Sequence, residues 1–126
     1  MKFQPDTFAG TNAISRHEPG AVWVNNQRFE GSLLVPWKGD VRPWSAQGHA
    51  TLTAGHFSEV LALEPELVIF GSGARLRFIS AALYRCLIDA RVGFETMDTA
   101  AACRTYNVLA AEGRSVVAAL LPGSVD

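Results

Sequence analysis

The sequence is sparing with several things, and each shortage removes a class of protein. It has two cysteines, Cys86 and Cys103. Two thiols without paired spacing build neither a disulfide framework nor a zinc site, so a reducing cytoplasmic compartment is the expectation. Neither sign of charge is in excess: Lys and Arg number 11, Asp and Glu 12, and the net charge is −1. No field of that size draws nucleic acid or anionic lipid. Long apolar runs are missing as well. The longest, around residues 60–70, is broken by Glu64, Pro65 and Glu66, so no membrane span is expected. The opening MKFQPDTFAG holds neither an apolar stretch nor an arginine, so neither a secretory signal nor an Arg-rich transit peptide is expected. The three histidines, His17, His49 and His56, do not sit at metal-ligand spacing from one another or from an acid on one element. Hydrolase signatures of the G-x-S-x-G or H-E-x-x-H type do not occur.

What is present is the material of one folded unit. Apolar residues make up 48% of 126 positions, enough for a single core. Residues 1–20, with Pro5, Gly10, Pro19 and Gly20, read as a loosely ordered arm before a single domain at 21–126. AVWV (21–24) and QRFEGSLLV (27–35) flank Asn25 and Asn26. Asparagine tolerates positive φ, so the pair predicts a two-residue hairpin. Phe29, Gly31, Leu33 and Val35 alternate with polar residues, as in one strand with one buried face. Pro36, Gly39, Pro43 and Gly48 mark a loop, with room for a short edge strand near residues 40–44. Thr53 can cap a short helix whose Phe57, Val60 and Leu61 face inward.

The second half has a clearer rhythm. LVIF (67–70) reads as a strand covered on both faces. Ile79, Ala82, Leu83, Cys86, Leu87 and Ala90 recur at helical spacing and predict a helix over 79–91. FETM (94–97) is the next strand. Asp98 stands at the N-cap of a helix running to Glu112, with Ala102, Cys103, Tyr106, Leu109 and Ala110 inward and Gly113 at C′. RSVVAALL (114–121) is the last strand. Strand, helix, strand, helix, strand with short links specifies a layered α/β domain, its first step a parallel crossover. The N-terminal hairpin adds antiparallel structure.

The stretch VIFGSGARLRF (68–78) raises the functional question, because a buried strand ends in Gly-Ser-Gly followed by arginines. A phosphate-binding P-loop requires Lys and then Ser or Thr after the last glycine, where Ala74 and Arg75 stand. A dinucleotide fingerprint requires a third glycine at position 76, which is Leu76. The glycines then serve either as a ligand loop or as the exit from a buried strand. Ligands of α/β sheets bind beyond the carboxyl ends of parallel strands. One such end carries Gly71, Ser72, Gly73 and Arg75; the other carries Asp98 and Thr99. If the strands are neighbours, these six residues form a candidate crevice for a small ligand or anion. Arg75 would then either bind that ligand or pair with Asp98.

Cys103 is the one candidate nucleophile. It is the fifth residue of its helix, beyond the first turn where a helix terminus lowers a thiol pKa, and it lies on the apolar stripe, which favours an inert core thiol. Asn107, one turn on, suits a helix-to-loop hydrogen bond. Trp37 and Trp44 are open to two readings, an exposed partner surface or a cap over the core.

Three segments, FEGSLLV (29–35), VIFGSGARLRF (68–78) and FETMDTAAACRTYN (94–107), together resemble the small domain family that includes NADH dehydrogenase 1 alpha subcomplex assembly factor 3 and an adipogenesis-associated protein. The likeness extends over about residues 20–122. It implies a three-layer α/β fold, with helices packed on a mixed central sheet in which one central strand, expected to be 115–121, runs against its neighbours. It implies neither a reaction nor a cofactor. A protein partner is implied instead, such as a respiratory-complex subunit or a second copy, and the chain reads as a bacterial, cytoplasmic member. On this reading the chain is an interaction or assembly protein, with small-ligand binding or catalysis in the crevice as the alternative.

Overall fold

The computed structural model describes residues 10–124. Strands β1 (Ile14–Glu18), β2 (Ala21–Val24) and β3 (Gln27–Glu30) form an antiparallel three-stranded sheet. A second sheet has the order β5-β4-β8-β6-β7, built from β4 (Leu33–Val35), β5 (Arg42–Pro43), β6 (Leu67–Gly71), β7 (Gly93–Met97) and β8 (Val116–Leu120). The helices are α1 (Ala54–Leu61), α2 (Arg85–Asp89) and α3 (Thr99–Ala111). The fold is a mixed α/β architecture.

Alternation along the central strands decides what covers each face, since successive side chains of a strand point to opposite sides. Val116, Ala118 and Leu120 of β8, Ile69 of β6, and Leu33 and Val35 of β4 pack with Ala102, Cys103, Tyr106 and Ala110 of α3 and with Ile14, Val22 and Val24 of the small sheet. The intervening Val117, Ala119, Val68, Phe70 and Leu34 pack with Phe57 and Val60 of α1, Leu87 of α2 and Trp44. Two apolar cores therefore sandwich one sheet. The second is aromatic: Phe57 lies edge-on to Phe70 and Phe94 with centroids 5.8 Å apart, and Tyr84 stacks on Phe94 at 4.0 Å.

Local chemistry sets several boundaries as expected. Asn25 and Asn26 adopt φ of 52° and 69°, the left-handed pair that a two-residue hairpin turn demands. Asp98 caps α3 by accepting from Ala101 N–H at 2.8 Å. Gly113 has φ of +85° and ends the helix in a Schellman motif: its N–H reaches Ala110 O at 3.0 Å, and Arg114 N–H reaches Leu109 O at 3.1 Å. Thr53 precedes α1, and its N–H donates to His56 Nδ1 at 3.0 Å, the reciprocal arm of a capping box.

Four expectations require correction. Residues 14–18 are a paired strand and not part of a loose arm, because β1 aligns with β2 from Glu18↔Ala21 to Ile14↔Val24; residues 1–9 of that arm lie outside the described residues. Residues 27–35 are two strands in different sheets, because Gly31, at φ +78°, turns the chain from one to the other. The helix predicted over 79–91 shrinks to α2. Leu83 and Tyr84 N–H bond to Ser80 and Ala81 O in three-residue steps, at 3.0 and 3.2 Å, so residues 81–84 are turns. Finally, β8 does not oppose both neighbours. It runs parallel to β6 and antiparallel to β4, and β4 is the reversed strand.

Candidate functional site

The two loop ends singled out in the sequence do meet. β6 and β7 are adjacent and parallel, with Gly71 opposite Met97, so the Gly-Ser-Gly exit and the start of α3 open at one rim. What joins them is a dense set of internal hydrogen bonds. Thr99 Oγ1 donates to Leu121 O at 2.7 Å and accepts from Gly73 N–H at 2.9 Å. Thr99 N–H donates to Gly73 O, and Ser72 N–H to Met97 O, at 2.9 and 2.8 Å. Leu121 N–H closes the set on Gly71 O at 2.9 Å. Ser72 Oγ lies 2.8 Å from Arg75 O and 3.0 Å from Met97 O and accepts from Arg77 N–H at 3.1 Å; its one proton serves one carbonyl at a time.

This knot explains the glycines. A Cβ on Gly71 would stand 2.9 Å from both Thr99 Oγ1 and Leu120 Cδ2, so the first turn of α3 packs directly on the end of β6. Gly73 has φ of +109°, which carries the chain around Thr99. Thr99 and Ser72 are both buried, and the internal bonds satisfy them, as buried polar groups require.

A cleft of about 210 Å³ lies over the knot. Gly73, Ala74, Thr99 and Ala100 line one side, and His17 and Glu18 at the end of β1, with Pro19 in the β1–β2 turn, line the other. Of the six candidate residues, Gly73 and Thr99 line it; Gly71, Ser72, Arg75 and Asp98 do not. The sequence reading missed the β1–β2 turn, because that turn arrives from the other sheet. The Gly73 N–H and the Thr99 hydroxyl already have partners, and Glu18 adds a carboxylate to the far wall.

The remaining candidates are placed as follows. Cys103 is fully buried. Burial, with a smaller contribution from Asp98, pushes its thiol up to about 12, against a weaker pull from Arg104. A thiol so protonated at neutral pH is no nucleophile. Asn107 holds β1: its amide oxygen accepts from Ile14 N–H and its NH₂ donates to Ile14 O, both at 2.8 Å, as a neighbouring strand would. Trp44 is buried against Phe57 and Phe70, with its indole N–H on His56 O at 3.0 Å. That corrects the exposed reading for Trp44. Trp37 is half-buried, bonded to Ala110 O at 3.1 Å and covered by Lys38 at 4.5 Å. Among the described residues, no group of three or more His, Cys, Asp and Glu is arranged to hold a metal. No helix there is long and apolar enough to cross a membrane.

One polar centre was not visible in the sequence. Asn12 is buried. Its NH₂ donates to Pro36 O and Gly39 O at 2.9 Å, and its oxygen accepts from Asn25 at 2.9 Å. Tyr106 Oη lies 2.8 Å from Pro36 O and 3.1 Å from Asn12 O, and burial raises its pKa above the usual phenol value. These contacts join residues from 13 to 94 positions apart.

Comparison with known proteins matches the family described as a protein of unknown function, DUF498/DUF598, over residues 14–121. The chain belongs to this family. The NADH dehydrogenase [ubiquinone] 1 alpha subcomplex assembly factor 3 of Homo sapiens is 35% identical over 112 residues, which are 86% of this chain and 60% of that protein; the chain thus spans less than two thirds of that relative's length. An uncharacterized protein of Rhodobacter capsulatus is 36% identical over 91% of this chain and 88% of its own. A Mth938-like domain of Bordetella pertussis, solved by NMR, superposes with a TM-score of 0.84 at 31% identity, covering all of this chain and 95% of the other. The resemblance seen in residues 29–35, 68–78 and 94–107 thus extends over residues 14–121.

Proposed function

We propose that this DUF498/DUF598 chain is a protein-interaction module of the assembly-factor kind, acting in the cytoplasm on subunits of a respiratory complex. The observation that carries this reading is the 35% identity to a complex I assembly factor across 86% of the chain. The state of the thiols agrees with it: Cys103, the candidate nucleophile, is sealed in the core and protonated. The test is affinity capture of the tagged chain, expressed at native level in a bacterium that makes complex I, after gentle crosslinking. Enrichment of respiratory subunits, with less assembled complex I on native gels when the gene is deleted, is the expected result. Capture without any such subunit, and normal complex I in the deletion, overturns it.

A second reading, a small-ligand site in the crevice around Gly71–Arg75 and Asp98–Thr99, is favoured by the cleft of about 210 Å³ over Gly73 and Thr99. A thermal-shift screen of nucleotides, phosphates and carboxylates tests it. A stabilising ligand whose effect is lost in Ala100→Trp, which fills the cleft, supports the reading; a flat response across the panel removes it.

A further inference from the structure

The crossover from β6 to β7 carries cationic and apolar groups, several of which find no partner among the described residues; Arg75 is engaged. Residues 74–91 hold four arginines and a single acid, Asp89, in a chain of net charge −1. Among the described residues no ion pair engages Arg77, Arg85 or Arg91. The same stretch carries three of the four large apolar side chains described as exposed: Leu76 at 50%, Phe78 at 74% and Ile88 at 42%. An exposed apolar patch rimmed by polar residues marks an interaction site, and here Leu76 and Phe78 flank Arg77 in the chain.

From this we infer that the crossover is the docking surface for a partner protein, whose contacting segment combines carboxylates with apolar side chains. The inference rests on the interaction reading above and names the surface that it would use. Complementarity of charge sets the carboxylates, and Leu76 and Phe78 set the apolar part. The choice of cation points to protein and not to membrane. Every cation in the stretch is arginine, whose planar fork binds carboxylates in two-point fashion and which is enriched in protein interfaces where lysine is depleted. Attachment to an anionic bilayer usually draws on a denser cluster of about four to eight basic residues or an extended amphipathic helix; α2 has five residues.

Short random peptides displayed on phage and selected against the whole chain provide the test. Enriched peptides should pair Asp or Glu with Leu, Ile or Phe. Their affinity, read by fluorescence anisotropy, should fall at least about tenfold in Leu76→Ser/Phe78→Ser. It should also fall in Arg77→Glu/Arg85→Glu, with a loss that shrinks as salt is added. Unchanged circular dichroism and melting would show both variants folded. Peptides that bind the variants as well as the wild type overturn the surface. So does binding to phosphatidylglycerol vesicles that these variants lose while no peptide binds, or a concentration-dependent dimer that they abolish. The same variants separate this inference from the one beneath it. If respiratory subunits are captured equally by wild type and variants, this surface falls while the assembly role stands; if the wild type captures none, the underlying reading fails.

Discussion

The small sheet and the β6–β7 crossover both carry arginines, yet they place them in opposite settings. On the small sheet, Arg16 pairs with Glu18 and Arg28 with Glu30. Both arginines also lie over Trp23, at 4.5 and 5.6 Å from its ring centre. Strand register explains this, since Trp23 faces Arg16 on one side and Arg28 on the other. Beneath that face, Asn12, Asn107 and Tyr106 stitch the strands to α3 and to the loop after β4. On the crossover, Arg77, Arg85 and Arg91 meet no acid among the described residues, and Phe78 stands in solvent. One region completes its interactions within the chain. The other holds three arginines with no ion pair among the described residues.

Breaking the first region should cost the most. Asn12→Ala removes the donors to Pro36 O and Gly39 O and the acceptor of the Asn25 amide, so urea unfolding should show a loss of about 2–4 kcal/mol. At the rim knot, Gly71→Ala forces a methyl against Thr99 and Leu120, and a loss of about 1–3 kcal/mol is expected by the same measurement. The core also carries a pH signature. The Cys103 thiol holds its proton to about 12 when folded, whereas an unfolded thiol releases it near 8.5. Above that pH the unfolded chain binds fewer protons. Stability should therefore fall as pH rises, by at most about 1.4 kcal/mol per pH unit from this group. Cys103→Ala should flatten that slope in urea titrations between about pH 8.5 and 10, below the range where the Tyr106 phenol adds its own.

The contrast sharpens toward the surface. Arg28→Ala removes an exposed pair and a ring contact, and should cost at most about 1 kcal/mol. Leu76→Ser/Phe78→Ser should leave stability within about 0.5 kcal/mol per site. A large loss there would mean that the crossover is held by its own apolar residues and has nothing to offer a partner.

Much of this was legible because it is local. Asn25-Asn26, Asp98 and Gly113 each announce a turn, a cap or a helix end through their own backbone preferences, and the apolar run at 67–70 announces a buried strand. The overlong helix at 79–91 shows the limit of periodicity: the spacing was helical, but Ser80 Oγ takes the Ala82 N–H at 3.2 Å, and the chain there turns in steps of three. The reversal of β4, the departure at Gly31 and the Asn12 centre are set by pairings tens of residues apart, which no local pattern encodes. The candidate crevice was half-legible. Strand ends predicted where Gly73 and Thr99 would meet, but not that each would answer the other or that the end of β1 and the turn after it would supply the opposite wall.

The position of β8 has a consequence for how the chain is made. It sits between β4 and β6, although it is synthesised after both. Until β8 is made, the slot between β4 and β6 is vacant, and each strand has a bare flank facing it. Bare flanks of that kind invite pairing with other nascent chains. Only pairing of residues 116–120 closes that slot, so the central sheet is completed by its last strand in chain order.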